Sequence, residues 1–358
     1  MSLSPDQLLN KYVPIVYHHP DEKYFPCSID WLIQNSRLDD FVRNTTISPL
    51  THLDLFNQAK SDNFAKRSDG DLVLSFDSQV FKGEHPMRNV PCYALYREKN
   101  NKIYLTYIFV YAKNGEYDIL GLANAGQHPA DLEHLTVELD LASQSLLRVM
   151  FSAHGTTDGR WIKESDIQFE NGKIVSYMAL NGHGLYPKEG IAFRLFGLAN
   201  DYLGKGAKWE PKVVRLYGKN DPLFNPVTMG FTVYNGRFGG EPVKGSVSGI
   251  MGLPDKNWYG PNAELIDDVP EDTLNSPIIF SPTVGKILIL LKNLVVFSLA
   301  YFMVYGTLKF VDKKMYSQSF NDGGFTMKEH LTTILIFFII VQVFYMILSK
   351  IVQKYVPS

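Results

Sequence analysis

Histidine and carboxylate side chains gather at short spacing in the stretch 126–141, Gly-Gln-His-Pro-Ala-Asp-Leu-Glu-His-Leu-Thr-Val-Glu-Leu-Asp-Leu. From Glu133 onward the residues alternate between apolar and polar, which is typical of a β-strand with one buried face. Asp131 and Glu133 share the parity of the apolar residues, so we expect both carboxylates to be buried, which is costly unless a cation neutralises them. With His128 three residues before Asp131, the spacing suits a divalent metal ion. The alternative is that the carboxylates pair with an arginine or cap a turn.

Two further histidines, His154 and His183, each follow a predicted strand and stand beside glycine. In such a place a loop side chain can reach over the end of a β-scaffold. Taken singly, each is typical of an ordinary polar loop residue. Together with His128, Asp131 and Glu133 they would supply nitrogen and oxygen ligands for a divalent metal ion, a ligand set that does not distinguish Zn, Mn, Mg and Ca.

The remaining polar positions carry weaker signals. Asn200 and Asp201 form a second candidate polar node, for which a turn is the favoured interpretation, and His18 and His19 are assigned a structural role. The chain contains no Gly-x-Ser-x-Gly, no Walker loop and no Gly-x-Gly-x-x-Gly. No catalytic residue is therefore assigned, and whether the protein is an enzyme stays open.

Short apolar and aromatic runs, separated by turn signals such as Glu170-Asn171-Gly172-Lys173, dominate the chain before residue 261. Asn-Gly between alternating runs is a strong hairpin signal. Without interleaved amphipathic helices, this pattern predicts a mainly β domain over 1–261, an antiparallel β-sandwich or jelly roll. One short helix is predicted over Ser28–Asn35, with Ser28 as its N-cap.

Two long apolar runs near the C-terminus predict a transmembrane hairpin with helices at 287–308 and 331–352, joined by a loop at 309–330. At helical rise the first run spans about 33 Å, enough for the hydrocarbon core of a bilayer. Lys292 lies near enough to its start to snorkel. The acidic, proline-bearing segment 262–286 is interpreted as a linker. The alternative is a pair of buried helices in a soluble domain.

The 358-residue chain has a formal net charge of −2, which argues against nucleic acid as a partner. Two cysteines, Cys27 and Cys92, form no disulfide framework, as expected in a reducing compartment. The first residues lack the basic start and apolar core of a signal peptide. We therefore expect an integral membrane protein whose large N-terminal domain is cytosolic.

Several segments, taken in order, resemble the family named after vacuolar protein sorting-associated protein sixty-two, a domain of unknown function. The resemblance is carried by Tyr12–Leu32, Tyr104–Gly115, Gly126-x-His128-x-x-Asp131-x-Glu133-His134-x-Thr136, Phe151–Gly155 with Trp161, Gly182–Pro187, Asn200-Asp201, Tyr234–Gly239 and Trp258–Pro261. Three positions depart from the family pattern: its Trp between Asp and Glu is Leu132 here, its Gly before Asp is Ala130, and the Trp of its closing Trp-Gly is Phe238. The resemblance implies a role connected with vacuolar protein sorting or protein transport, without an established activity.

The His-x-x-Asp-x-Glu core also resembles, locally, the heptapeptide of secreted necrosis-inducing toxins. Those are β-sandwich proteins whose Asp, His and Glu hold a divalent metal and whose targets are membrane sphingolipids. The two resemblances together imply a metal-binding module that engages lipid or glycan head groups, or membrane-trafficking protein partners. Two alternatives are a structural membrane scaffold, for example an organelle or viral inner-membrane protein, and a metal-dependent hydrolase.

Overall fold

A computed structural model describes residues 2–59, 72–119, 123–125, 127–153, 159–194, 199–239, 249–253 and 278–315. The helices within these ranges are α1 (Pro5–Tyr12), α2 (Ile29–Gln34), α3 (His52–Ala59), α4 (Pro226–Met229) and α5 (Pro282–Met315). The strands, in chain order, are β1 (Ile15–Tyr17), β2 (Ser36–Asp40), β3 (Thr45–Ile47), β4 (Leu72–Phe76), β5 (Pro91–Lys99), β6 (Lys102–Asn114), β7 (Tyr117–Ile119), β8 (Ala123–Ala125), β9 (His128–Asp140), β10 (Leu146–Phe151), β11 (Arg160–Lys163), β12 (Phe169–Glu170), β13 (Lys173–Met178), β14 (Leu185–Tyr186), β15 (Gly190–Arg194), β16 (Ala199–Leu203), β17 (Lys208–Trp209), β18 (Lys212–Arg215), β19 (Arg237–Phe238) and β20 (Ile278–Phe280).

The strands form four sheets. The first sheet has the order β19-β4-β2-β3 and the central sheet the order β11-β10-β9-β6-β5-β18. In the third sheet the order is β12-β13-β1-β17, with β14 also on β13, and in the fourth it is β20-β15-β16-β7-β8. The mainly β prediction is thus confirmed, but the sheets are mixed rather than a purely antiparallel jelly roll, because β1/β13, β5/β18 and β4/β19 pair in parallel.

Three apolar cores separate the four sheets. One core joins the first sheet to one face of the central sheet, with Leu38, Leu74 and Leu132 among its members. A second fills the space between the other face of the central sheet, through Phe109 and Val137, and the third sheet. The last core joins the third and fourth sheets. Strand β9 is therefore buried on both faces, and the half-buried strand expected from its alternation is wrong in this respect.

Local sequence rules account for several elements. Ser28 caps α2 by accepting a hydrogen bond from the Trp31 amide, so the predicted short helix is confirmed. Asn171 and Gly172, both at positive φ, make the two-residue turn between β12 and β13, as predicted for Asn-Gly. Asn100 and Asn101 make the equivalent turn between β5 and β6, also at positive φ.

The C-terminal boundaries differ from those predicted. Residues 278–280 form β20 and Pro282 begins α5, so the end of the predicted 262–286 linker is ordered structure, because β20 adds to the edge of the fourth sheet. The helix continues to Met315, past the predicted start of the loop. Its segment Pro282–Gly306 is long and apolar enough to cross a membrane, and only 6% of its most apolar stretch is buried. The second predicted span, 331–352, lies outside the described residues.

Candidate functional site

Asp131 and His183 meet inside the domain as a buried acid–histidine pair. Asp131 lies on β9 opposite Tyr111 of β6, and His183 belongs to the loop between β13 and β14. The Nδ1 atom of His183 is 3.0 Å from the Oδ2 atom of Asp131. Both side chains are buried. Two residues that the sequence marked as separate candidates, more than fifty positions apart, thus share one site.

The His183 ring is held on its other sides as well. Its Nε2 atom lies 3.2 Å from the carbonyl oxygen of Tyr24, and the ring stacks on Tyr111 with centroids 3.8 Å apart and planes 10° from parallel. The backbone of His183 is left-handed, with φ +56°, a conformation that costs energy for any residue with a side chain and often occurs at functional sites. The ring orientation is therefore fixed by the fold.

Both ring nitrogens of His183 face oxygen acceptors, and this constrains the protons. A carbonyl oxygen only accepts, so a hydrogen bond to Tyr24 needs a hydrogen on Nε2. A neutral imidazole has one N–H, so hydrogen bonds to both acceptors require a second proton between Nδ1 and Asp131. A divalent cation can take the place of that second proton, because Nδ1 and a carboxylate oxygen are both metal ligands.

The spacing of the pair fits a shared metal ion. Two neighbouring ligands of an octahedral ion, each bound at about 2.1 Å, lie about 3.0 Å apart, which is the separation of Nδ1 and Oδ2 here. The hydrogen bond from Nε2 to the Tyr24 carbonyl is also the type of outer contact that orients a metal-binding histidine. The same 3.0 Å separation is that of an ordinary hydrogen bond, so the geometry permits a shared ion without requiring one.

Glu22 is a site residue that sequence analysis missed. Its Oε1 atom accepts hydrogen bonds of 2.9 Å from the amides of Lys23 and Tyr24, and its Oε2 atom accepts one of 2.8 Å from the amide of Asn181. Oε1 also lies 3.9 Å from Nε2 of His183. The carboxylate therefore ties the N-terminal segment to the His183 loop. In the sequence, only the family resemblance over Tyr12–Leu32 pointed to the segment that contains Glu22.

Tyr111 stacks on the His183 ring and connects the site to His18. The Tyr111 hydroxyl is 2.9 Å from Nε2 of His18 and also contacts the Met178 sulfur. Burial raises the pKa of Tyr111 well above its ordinary value, and the charges of Glu22, Asp131 and Glu133 raise it further. Burial, followed by the charge of His183, lowers the pKa of His18 to about 3. His18 is thus neutral, in keeping with its predicted structural role.

Glu133 and His128 flank the pair along β9. Glu133 is buried, lies opposite Phe109 and acts electrostatically on the Tyr111 hydroxyl. His128 is also buried, and its Nδ1 atom lies 2.8 Å from the Ala130 carbonyl. A carbonyl oxygen can only accept, so this contact is a hydrogen bond when Nδ1 carries the hydrogen; Nε2 is then the basic nitrogen, as is usual for a metal-binding histidine.

The other predicted site residues do not join the pair in the described part of the chain. His154 lies outside the described residues. Asn200 and Asp201 lie on strand β16, not in the favoured turn, because β16 pairs with β15. Asp201 accepts a hydrogen bond from the Tyr186 hydroxyl and lies 3.8 Å from Arg194. Among the described residues no three His, Cys, Asp or Glu side chains converge in a geometry that would hold a metal ion.

Fold and site together define a β-rich protein that has a buried acid–histidine pair and an exposed apolar helix. The model of the family Vacuolar protein sorting-associated protein 62 matches residues 4–45 and 112–209 of the chain. These segments contain Glu22, Asp131 and His183. The predicted resemblance is confirmed over both segments, and no curated protein matches the chain.

Solved structures that resemble this one include necrosis-inducing proteins, the class of the second, local resemblance. Necrosis and Ethylene inducing Protein 2, from the causal agent of cocoa's witches' broom disease, is 16% identical, with a TM-score of 0.31 over 60% of this chain and 74% of its own. NLPPya in complex with glucosamine is 12% identical, with a TM-score of 0.34 over 70% and 85% of the two chains. The non-toxic HaNLP3 protein is 13% identical, with a TM-score of 0.30 over 60% and 76%.

Proposed function

We propose that this chain is a membrane-anchored β-domain that binds a divalent cation at Asp131 and His183 and uses it to hold the head group of a membrane lipid or glycan. The observation that carries the proposal is the 3.0 Å separation of Nδ1 and Oδ2 between two buried side chains. His128 and Glu133 on β9, and His154, are proposed as further ligands; His128 and Glu133 would have to turn toward the pair when the ion binds, because no three such side chains converge among the described residues. Their residue types suit such an ion.

The charges around the pair favour a cation. Asp131, Glu133 and Glu22 are buried near the Tyr111 hydroxyl, whose pKa all three raise after burial itself. Concentrated negative charge in a poorly solvated site is stabilised by a counter-charge. A bound cation with an exposed coordination position would attract phosphate, carboxylate or sugar hydroxyl oxygens, which are groups found on lipid and glycan heads.

Membrane anchoring is assigned to α5. The outward-facing side chains of its apolar segment, such as Leu294, Leu299 and Phe302, are exposed. An apolar surface of that size is rarely left to water on a soluble protein. Burial in a bilayer would remove this apolar surface from water. The lipid or glycan head group proposed as the ligand would then belong to the same membrane as the anchor.

The proposal can be tested by head-group binding. The full chain in phosphatidylcholine nanodiscs is titrated calorimetrically with glycerophosphoinositol or glucosamine, with manganese present or with a chelator. We expect saturable binding only with the metal, weakened about tenfold or more in Asp131→Asn. Glu138→Gln is the matched control: Glu138 is a buried carboxylate on the same strand, bound instead by Lys102 and Arg148 at 2.7 Å each. Equal binding in all three proteins, or binding unaffected by the chelator, would contradict the proposal.

A structural scaffold is the second candidate, and one observation favours it. The Glu22 carboxylate and the His183 ring already bind partners within the chain that join the N-terminal segment to the 181–184 loop. In a scaffold Asp131→Asn would lower the unfolding temperature equally with and without metal. In a metal site the addition of metal would raise the unfolding temperature of the unmodified protein alone.

A further inference from the structure

Helix α5 is joined to the β-domain by a very short connection. Only Ser281 separates β20 from α5, and β20 pairs with β15 at the edge of the fourth sheet. The first turn of the helix also packs on the sheet: a Cβ atom at Gly285 would lie 2.9 Å from the Ile191 side chain. Glycine is thus needed for this close approach. The direction of the helix is therefore fixed relative to the fourth sheet.

The apolar part of the helix sets the height of the domain above the bilayer. Ile287 to Gly306 is about 20 residues and about 30 Å long, the thickness of a hydrocarbon core. Lys286, immediately before it and exposed, would mark the head-group level. Pro282, the first residue of the helix, then lies roughly 7 Å from the edge of the hydrocarbon, at the outer margin of the head groups.

A short path of contacts leads from this level to the candidate site. Strand β15 pairs with β20 through Ile191 and Phe280, and with β16 through Gly190 and Leu203. A Cβ atom at the next residue, Gly204, would lie 3.1 Å from the His19 ring. The His19 carbonyl accepts a hydrogen bond of 3.0 Å from the amide of Glu22. Glu22 in turn lies 3.9 Å from His183. A continuous path of contacts thus joins the candidate site to the edge of the fourth sheet from which the helix leaves.

We infer that the domain rests on the membrane through the surface formed by β20, the adjoining end of β15 and His19, and that its partner there is the phospholipid head-group layer. The inference builds on the membrane anchoring by α5 proposed above. Ile278 on the edge strand β20 is 66% exposed, and on this surface it would meet lipid instead of water. Seated this way, the domain turns His19, which is joined to the candidate site through Glu22, toward the membrane that holds it.

Spin labels can measure the depth of this surface. Cys27 and Cys92 are fully buried, which raises the pKa of both thiols, so they leave little background for labelling. A single cysteine is introduced by Ile278→Cys, Leu294→Cys or Leu223→Cys in the full chain, which is then reconstituted in phosphatidylcholine nanodiscs. Leu223 is the matched control, since it is 62% exposed and lies beside Phe224, which packs on the core of the first sheet, at the other end of the stack of sheets.

Collision rates with oxygen and with a water-soluble nickel chelate decide the outcome. We expect the label at 294 to collide with oxygen and hardly with nickel, and the label at 278 to collide with nickel less than the label at 223. If 294 lies in hydrocarbon while 278 equals 223, the domain stands away from the membrane and the inference is overturned, with anchoring intact. If 294 is as open to nickel as 223, anchoring by α5 fails and the inference fails with it.

Discussion

Ala130 holds a left-handed backbone, with φ +55°, directly before Asp131. The related family pattern has glycine there, which adopts this conformation without steric cost. We predict that Ala130→Gly changes the free energy of unfolding by less than about 1 kcal/mol, because relief of strain offsets the lost methyl contact. Ala112→Gly is the control, since Ala112 is buried in the same core at negative φ, and should cost about 1–2 kcal/mol. Equal costs in denaturant titrations of the detergent-solubilised protein would refute the strain at Ala130.

His18 should make the domain sensitive to acid. Its pKa falls from 6.5 to about 3 on folding, mainly through burial. Below pH 6.5 the unfolded chain binds this proton and the folded chain does not, so the free energy of unfolding should decrease by about 1.4 kcal/mol per pH unit down to about pH 3. Urea titrations at pH 7, 6 and 5 measure the slope, which should be shallower in His18→Gln. An identical slope in the variant would assign the acid sensitivity to other groups.

The sequence could locate some residues of the site but not all. The alternation along β9 predicted that Asp131 and Glu133 lie on the same face as its apolar residues, and both are buried. This prediction depends only on the strand, because successive side chains of any strand point to opposite faces. Glu22 and Tyr111 gave no local signal. Their roles depend on the approach of the N-terminal segment to the 181–184 loop, a contact between distant parts of the chain.

At the scale of elements, the junction between the fourth sheet and α5 depends on Gly285. A leucine at this position would push against Ile191, and overpacking of this kind costs about 1–3 kcal/mol. We predict that Gly285→Leu speeds amide hydrogen exchange in β15 and β20. Gly306→Leu is the control on the same helix, because nothing lies within 4 Å of a Cβ at that position. Equal exchange in the two variants would show that the helix does not pack on the sheet.

Local patterns predicted strands and turns better than their arrangement. Ser28 and the Asn171-Gly172 turn lie where the sequence placed them, since capping and positive φ depend on a few neighbouring residues. The parallel pairing of β18 with β5 joins segments more than a hundred residues apart, and no local pattern encodes it. Because such long-range pairings leave no local pattern, the sequence predicted a β-sandwich, whereas the structure has four stacked sheets.

For the whole molecule, the proposed function depends on the chain being an integral membrane protein. We predict that it stays with the membrane pellet after an alkaline carbonate wash, because α5 would bury its apolar surface in lipid. Leu294→Asp with Leu299→Asp should reduce the retained fraction, since each charge costs about 2.5–3.5 kcal/mol near the centre of a span. Leu223→Asp with Val227→Asp charges similarly exposed aliphatic residues outside α5 and should leave retention unchanged. Release of the unmodified chain into the supernatant would contradict the anchoring.

Elemental analysis of the purified full chain is the decisive test of whether a divalent cation binds at Asp131 and His183. Mass spectrometry of the metals is compared for the unmodified protein, Asp131→Ala with His183→Ala, and the Glu138→Gln control. We expect close to one equivalent of a divalent metal in the unmodified protein and in the control, and its loss in the double variant. No metal in the unmodified protein after dialysis against Zn, Mn, Mg and Ca in turn, or equal metal in all three proteins, would contradict the proposed metal site.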